Sequence, residues 1–327
     1  MADWFVEEGI AEHRAVRIEG ERIVEARTLR LDRLNAGSVV DAKLVVRSGR
    51  ARGTALAANG EEVLVDRLPR EASEGASIRL RIMRSALDGP GRLKRAHARS
   101  DPSEPVSPSL ADTMRTAGTS VAIVRRFPVA GWEEIVADAL QGEIAFPGGA
   151  LLLAPTPAMT TVDIDAALPA RNLALAAVPA LADTLRRMDI GGSVAVDFPT
   201  LADKADRRAV DAALAEALGD WPHERTAMNG FGLVQIVSRL ERPSLVQLAS
   251  WRRGGVVWRS LLRRAETLEG AGVVELSINP RLEAEIMPDH LAELERRSGK
   301  RVRVRKVATL AYEAPNAQLV PDDRSRS

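Results

Sequence analysis

The sequence predicts a mixed α+β and α/β protein with a β-rich N-terminal domain, an α/β domain in the middle and a small C-terminal αβ module. Short runs of alternating polarity fill the first hundred residues, which indicates strands. A strand–helix–strand pattern spans residues 158–198. Three prolines lie within residues 100–108, between these two parts, and they mark the clearest boundary in the chain.

The composition is that of an ordinary folded protein, since 45% of its 327 residues are hydrophobic and 28% are charged. We find no apolar run long enough to cross a membrane and no signal-peptide pattern, so we expect no membrane partner. The chain has no cysteine, which excludes disulfides and fits a reducing cytoplasm. A net charge of +1 gives no global attraction for nucleic acid, so any such binding must come from local patches.

The first domain is predicted to cover residues 1–99, and residues 100–109 are predicted to be a linker. Residues 14–18 and 22–26 flank a Glu-Gly-Glu turn and predict a hairpin. Further strand-like runs follow at residues 39–46, 52–57, 62–66 and 77–84. About five short strands of this kind predict a small closed barrel of the OB type.

The most informative residues are acids at the ends of two strand-like runs. Asp163 and Asp165 close the first run, Asp197 closes the second, and a helical pattern at residues 172–188 separates them. Such a crossover makes parallel neighbouring strands whose carboxyl ends meet at one edge of the sheet. The three carboxylates would converge there as oxygen ligands for a hard cation such as Mg²⁺. The alternative for any single strand-end acid is that it caps a loop or a helix.

Around these acids the chain resembles a known family. The matching segments are Glu143–Gly149, Met159–Asp165, Leu185–Gly192, Val196–Phe198, Phe231–Leu233 and Arg242–Leu245. From about residue 132 to 245 the chain is similar to the DNase-I-like catalytic part of the ribonuclease E/G family. The position of the predicted barrel also matches the family's S1-type RNA-binding barrel. We therefore expect a DNase-I-like catalytic domain over residues 110–247.

The resemblance implies a metal-dependent endoribonuclease that acts on single-stranded RNA. The two family aspartates that hold Mg²⁺ match Asp163 and Asp197, and Mn²⁺ is the alternative cation. The family usually has asparagine where this chain has Asp165, which adds negative charge to the site. We expect Asp165 to act as a third ligand or to orient water. The family's zinc-link, a Cys-x-x-Cys motif, is absent. The resemblance thus indicates a short, zinc-link-free member without zinc that is a monomer or a weak homodimer.

Basic, amide and aromatic side chains are the candidates for RNA contact. They are Lys43 and Arg47 on the barrel strands, Arg92, Lys94 and Arg95 before the linker, Lys204 and Arg208 on one helix, Arg225 and Asn229 near the proposed edge, and Trp258 in an arginine-rich helical stretch. Each group has an alternative. The cations could be solvated surface, Asn229 could stabilise a turn, and the tryptophan could pack against a neighbouring helix.

The C-terminal part is predicted to be a small αβ module at residues 248–314 and a disordered polar tail at residues 315–327. The leading functional hypothesis is an RNA-cleaving enzyme. One alternative is a catalytically impaired RNA-binding protein on the same family scaffold, because barrel aromatics and the zinc-link are missing. The other is a ribonuclease whose active site has moved elsewhere in the fold.

Overall fold

The computed structural model describes residues 3–322 and leaves out the side chain of Arg92. Its strands are β1 (Trp4–Glu8), β2 (Glu12–Glu19), β3 (Arg22–Arg30), β4 (Val39–Arg47), β5 (Arg52–Ala57), β6 (Glu62–Asp66), β7 (Ser77–Arg84), β8 (Leu87–Gly89), β9 (Arg92–Lys94), β10 (Ala96–Ser100), β11 (Val121–Ile123), β12 (Glu143–Phe146), β13 (Gly149–Pro155), β14 (Thr160–Asp165), β15 (Gly192–Asp197), β16 (His223–Arg225), β17 (Leu233–Ser238), β18 (Val273–Ile278), β19 (Val302–Lys306) and β20 (Asn316–Val320). The helices are α1 (Leu110–Thr116), α2 (Trp132–Gln141), α3 (Ala170–Arg187), α4 (Lys204–Leu218), α5 (Leu245–Trp251), α6 (Arg253–Glu266) and α7 (Pro288–Ser298), with a 3₁₀ helix at Pro280–Glu285.

The first three strands form a sheet with a strand from much later in the chain. The order is β11-β1-β2-β3, with β11 parallel to β1 and the other pairs antiparallel. Helix α1 covers it, and Trp4, Val6 and Met114 share a buried cluster. Residues 1–99 were expected to form one β-rich domain, and the structure instead divides them between this sheet and a barrel. The hydrophobic contacts of β1–β3 are completed only by residues that follow the predicted linker.

The five strands β10-β6-β5-β4-β7 close into a barrel, in agreement with the predicted OB-like barrel. Its interior is filled by small and branched side chains such as Leu44, Val63 and Leu80, all fully buried. In the sequence the barrel lies between β3 and α1. It is therefore an insertion that separates β1–β3 from β11, the fourth strand of the first sheet. The segment predicted as a linker leaves β10 and leads back to α1.

A six-stranded sheet of order β12-β13-β14-β15-β17-β16 forms the centre of the chain. The crossover through α3 makes β14 and β15 parallel, as predicted, and the other neighbours are antiparallel. Alternate side chains such as Val162, Val196 and Ile236 are buried in the core shared with α3 and α4. The side chains between them on these strands are exposed or half-buried. The sheet therefore presents a second face to solvent.

The C-terminal module is a three-stranded sheet of order β19-β18-β20 packed against α6 and α7. Strand β20 pairs with β18 from Asn316 to Val320. The prediction of disorder from residue 315 is therefore wrong for this segment, because its backbone is hydrogen-bonded in a sheet whose central strand is buried. The last five residues of the predicted tail lie outside the described residues. In the part of the chain that is described, no helix combines the length and apolarity needed to span a membrane.

Candidate active site

Two aspartates lie side by side on the exposed face of the six-stranded sheet. The parallel register of β14 and β15 pairs Asp163 directly with Asp197. Neighbouring strands lie about 4.8 Å apart, so the two carboxylates leave the sheet as close neighbours on one face. The adjacent residues Val162 and Val196 point into the core and are almost fully buried. Core packing therefore fixes the direction in which both acids project.

Neither carboxylate is engaged by another described residue. Asp163 and Asp197 are exposed, and within residues 3–322 their side chains form no hydrogen bond or ion pair. Other acids of the same domain behave differently, since Asp189 accepts from Arg242 at 2.9 Å and Asp211 from Arg225 at 3.0 Å. The pair thus has oxygen atoms available for a ligand from solution.

Asp165 shares the exposed face but lies beyond the pair. It is the last residue of β14, and its sheet neighbour is Ala150 on the side away from β15. In the described part of the chain no three His, Asp or Glu side chains come together as a metal site. The structure thus brings together Asp163 and Asp197, while Asp165 as a third ligand stays a prediction. Two carboxylates are a normal protein contribution to bound Mg²⁺, which keeps several waters and takes substrate phosphates.

Exposed leucines continue the row on both sides of the acid pair. The register across four strands reads Leu152, Asp163, Asp197 and Leu233. The two leucines are 37% and 41% exposed, respectively. The pair is therefore flanked by apolar surface along the direction that crosses the strands.

The cations predicted near this edge fall into two groups. Lys204 and Arg208 are exposed at the start of α4, which follows the loop that leaves Asp197. Arg225 is half-buried and donates to the carboxylate of Asp211 on α4 and, at 2.7 Å, to the carbonyl oxygen of the same residue. Its guanidinium stabilises the attachment of α4 to the sheet, so the predicted phosphate contact is not supported by its position.

Asn229 stabilises a turn, which is the alternative considered from the sequence. Its side-chain oxygen accepts from the backbone N–H of Phe231 at 2.9 Å and of Leu233 at 3.0 Å. Its own N–H donates to the carbonyl of Leu233 at 3.1 Å. The side-chain oxygen and the backbone N–H of Asn229 thus stabilise the loop that leads into β17.

On the barrel, most of the predicted basic face is engaged internally. Arg47 donates to the carbonyl oxygens of Pro69, Ala72 and Arg50, so it holds loops together. Arg95 pairs with Glu62 at 3.0 Å. Neighbouring strand cations are paired as well: Arg52 with Asp66, Arg79 with Asp41 and Glu104, and Arg81 with Asp101. Lys43 and Lys94 are exposed, so both remain candidates for contact with phosphate. The side chain of Arg92 is not among those that the structure describes.

Trp258 is a core residue, so the prediction that it stacks on bases is wrong. It is 2% exposed, and its indole N–H donates to Nδ1 of His290 at 3.1 Å. The neighbouring Arg259 is also buried and pairs with Glu12 at 2.7 Å. Helix α6 is enclosed between the first sheet and the C-terminal sheet, which explains why Trp258, Arg259 and Arg263 are buried, whereas Arg264 is exposed.

Phe231 is the candidate that sequence reasoning missed as a binding residue. It entered only as part of a family match, whereas the structure leaves its ring 82% exposed. The signal that could have found it is its setting between Gly230 and Gly232 directly before β17. Phe231 precedes β17, so it is not one of the alternating residues that this strand buries in the core.

Comparison with known proteins finds a family match over this part of the chain. Residues 92–240 match the Ribonuclease E/G family. Over 110 residues the chain is 36% identical to Ribonuclease G of Escherichia coli (strain K12), which covers 30% of this chain and 22% of that protein. Over 132 residues it is 33% identical to Ribonuclease G of Haemophilus influenzae, which covers 36% of this chain and 27% of that protein.

The fold and the site define a mixed α/β protein with an inserted five-stranded barrel and a paired-carboxylate site on a sheet face. The matched segment contains both strands that carry the acid pair. These matches support membership of the chain in the ribonuclease E/G family. It spans about a quarter of the length of the curated relatives it matches.

Proposed function

We propose that the chain is an endoribonuclease that cleaves single-stranded RNA with a divalent cation, Mg²⁺ or Mn²⁺, bound by Asp163 and Asp197. One observation carries the proposal. Two exposed carboxylates without described partners are direct neighbours on parallel strands inside the segment that matches the family. The relatives that share this segment are named Ribonuclease G, which supports RNA as the substrate. The six-stranded sheet would then be the DNase-I-like catalytic part.

Residues on and near the exposed face of the sheet would each contribute to positioning an RNA strand. A bound cation would neutralise charge on the scissile phosphodiester and lower the pKa of a water attached to it. Asp163 and Asp197 supply the fixed oxygen ligands, and their buried neighbours keep them in place. Asp165 can hydrogen-bond a water or accept a proton at the strand end. Lys204 and Arg208 provide exposed positive charge for backbone phosphates on the same edge.

The chain has no cysteine, so a thiolate zinc-link cannot form. We extend the proposal to a monomer or weak homodimer that needs no zinc and acts in the cytoplasm. Elemental analysis and sizing chromatography with and without a chelator test the first part. Stoichiometric zinc, or a dimer that a chelator dissociates, would contradict it.

A cleavage assay tests the proposed activity. A fluorescent single-stranded RNA is incubated with the purified chain in Mg²⁺, in Mn²⁺ and in EDTA, beside a DNA strand of the same sequence. We expect cleavage of the RNA in either metal and none in EDTA. Asp165→Asn supplies the residue usual in the family, and it should retain cleavage if Asp165 orients a water and lose cleavage if Asp165 accepts a proton. Metal-independent cleavage, or no cleavage under any condition, would contradict the proposal.

The second candidate is an RNA-binding protein with impaired catalysis on the same scaffold. The absence of a three-carboxylate cluster in the described residues is the observation that favours it. It predicts RNA binding that is equal with and without Mg²⁺ and produces no fragments. The third hypothesis, a relocated active site, has less support because Arg225 is occupied by Asp211.

A further inference from the structure

Phe231 is an exception among the aromatic residues of the chain. The sequence has eleven phenylalanine, tryptophan and tyrosine residues, and the other ten are buried or half-buried. Phe231 is 82% exposed, whereas the next most exposed large hydrophobic side chains within residues 3–322, Ile123 and Met287, are both 52% exposed. A phenyl ring this exposed contributes little to folding, and its faces are accessible to an apolar or aromatic partner.

The backbone that presents this ring is held in one conformation. Asn229 accepts two backbone hydrogen bonds from the loop, one of them from Phe231 itself. The hydroxyl of Thr200 donates to the carbonyl of Phe231 at 3.3 Å. Gly232 has a φ of 93°, and a Cβ there would lie 2.2 Å from the carbonyl oxygen of Phe198, so only glycine fits. The ring therefore stands on an ordered turn, which lowers the entropy lost on binding.

This turn adjoins the acid pair. Strand β17 begins at Leu233, whose partner across the sheet is Asp197. One residue further, the N–H of Phe198 donates to the carbonyl of Gly232 at 3.2 Å. The segment that holds Phe231 is thus hydrogen-bonded to the residues that directly follow Asp197. A strand of RNA whose phosphate lies at the acid pair would have its next base within reach of this turn.

An uncharged contact suits RNA binding on the exposed face of the six-stranded sheet, because this face is acidic. The exposed face carries three aspartates near the strand ends, and the whole chain has a net charge of only +1. Phosphates are therefore weakly attracted there before a cation binds. Stacking of a base on an aromatic ring is insensitive to that charge and accepts any base.

We propose that Phe231 is a base-stacking residue that binds the unpaired base beside the scissile phosphate and so fixes the register of single-stranded RNA on the acid pair. The inference rests on the proposed function in taking single-stranded RNA as the ligand. It adds a subsite for a base, next to the site for the phosphate.

The test measures binding of a fluorescein-labelled 12-mer of single-stranded RNA to the full chain in EDTA, where metal-dependent cleavage cannot occur. Phe231→Ala should weaken binding about 5- to 140-fold, which is stacking of about 1–3 kcal/mol per base at 1.4 kcal/mol per tenfold. The loss should be equal at 50 and 200 mM salt, since no phosphate contact changes. Phe231→Trp should keep the affinity, and Phe231→Leu should lose it.

Met287→Ala is the matched control, because Met287 is also exposed but lies in the C-terminal module. It should not change the affinity. A scan with single abasic nucleotides then locates the stacked base. One abasic position should weaken binding of the wild type and have no effect on Phe231→Ala, and in Mg²⁺ that position should adjoin the cleaved bond.

The outcomes separate the two proposals. RNA binding in the expected pattern without cleavage in Mg²⁺ contradicts the proposed function and leaves the stacking subsite standing. Cleavage in Mg²⁺ together with equal affinities for wild type and Phe231→Ala overturns the stacking subsite alone. Unchanged RNA affinity combined with a dimer that Phe231→Ala converts to a monomer also overturns it, in favour of contact between two copies of this chain.

Discussion

The buried ion pair between Glu7 and Arg263 joins two distant parts of the chain. Arg263 donates from Nε and Nη2 to the two carboxylate oxygens of Glu7, each at 2.7 Å. Both residues are less than 10% exposed. One oxygen of Glu7 also accepts from the backbone N–H of Phe127 at 2.9 Å. The pair therefore connects the first sheet to helix α6, which lies 256 residues later.

Replacing Arg263 by methionine should strongly destabilise the fold. Methionine keeps much of the apolar volume but leaves the buried carboxylate of Glu7 without its bidentate partner. Removing one member of a buried pair costs about 3–5 kcal/mol. Arg14 remains 3.6 Å from Glu7 and compensates in part, so we expect a loss of about 3 kcal/mol. Arg264→Met is the matched control and should cost below about 1 kcal/mol, since Arg264 is exposed and donates only to the carbonyl of Pro315.

Urea unfolding followed by tryptophan fluorescence measures the effect as a shift of the midpoint at constant slope. The double variant Glu7→Gln with Arg263→Met should recover much of the lost stability, because it removes the buried charge. Wild-type stability for Arg263→Met would refute this reasoning. Wild-type stability combined with weaker RNA binding would show that the arginine-rich helix binds RNA, as its sequence pattern first indicated.

Three further predictions follow from individual contacts. Replacing Lys43 and Lys94 by alanine should reduce the log–log salt slope of RNA binding by about 0.7 per lost phosphate contact, and an unchanged slope would make both lysines solvated surface. Burial lowers the pKa of His290, whose Nδ1 accepts a hydrogen bond from the indole of Trp258. Below about pH 6.5 the unfolded chain therefore binds more protons than the folded chain, and the free energy of unfolding falls as the pH falls. Urea unfolding at pH 7 and 5 should show a smaller loss for His290→Gln, and an equal loss would contradict this. Gly232→Ala should lower the free energy of unfolding by at least about 1–2 kcal/mol in the same assay. Gly230→Ala should lower it less, because a Cβ there meets no atom within 4 Å. Equal losses for the two variants would contradict the requirement for glycine at position 232.

The acid pair could be predicted because its determinants are local. Alternation along each strand fixes the face on which Asp163 and Asp197 project, and the helical crossover between them fixes the parallel pairing. Four of the barrel's five strands were likewise predictable from short alternating runs, whereas β10 was not predicted and the hairpin at residues 14–26 lies in the first sheet. In each case a pattern within a few tens of residues decides the result.

The environment of the arginine-rich helix could not be predicted from the sequence. Trp258 and Arg259 belong to a pattern of interleaved aromatic and basic residues that is typical of nucleic-acid binding. Both are buried, and their partners, His290 and Glu12, lie far away in the sequence. Arg225 is a similar case, since only the fold reveals that Asp211 lies beside it. The same holds for β1–β3, whose sheet is completed by β11 beyond the inserted barrel.

The most direct test of the account measures the single-turnover rate constant for cleavage of single-stranded RNA at saturating Mg²⁺ in Asp163→Asn, Asp197→Asn and the double variant. Loss of one ligand to a catalytic cation removes several kcal/mol, so each single variant should slow cleavage by about 10²-fold or more. If both carboxylates bind one cation, the double variant should be no slower than the slower single variant. Full-rate cleavage by the double variant would contradict the central claim that this pair forms the active site.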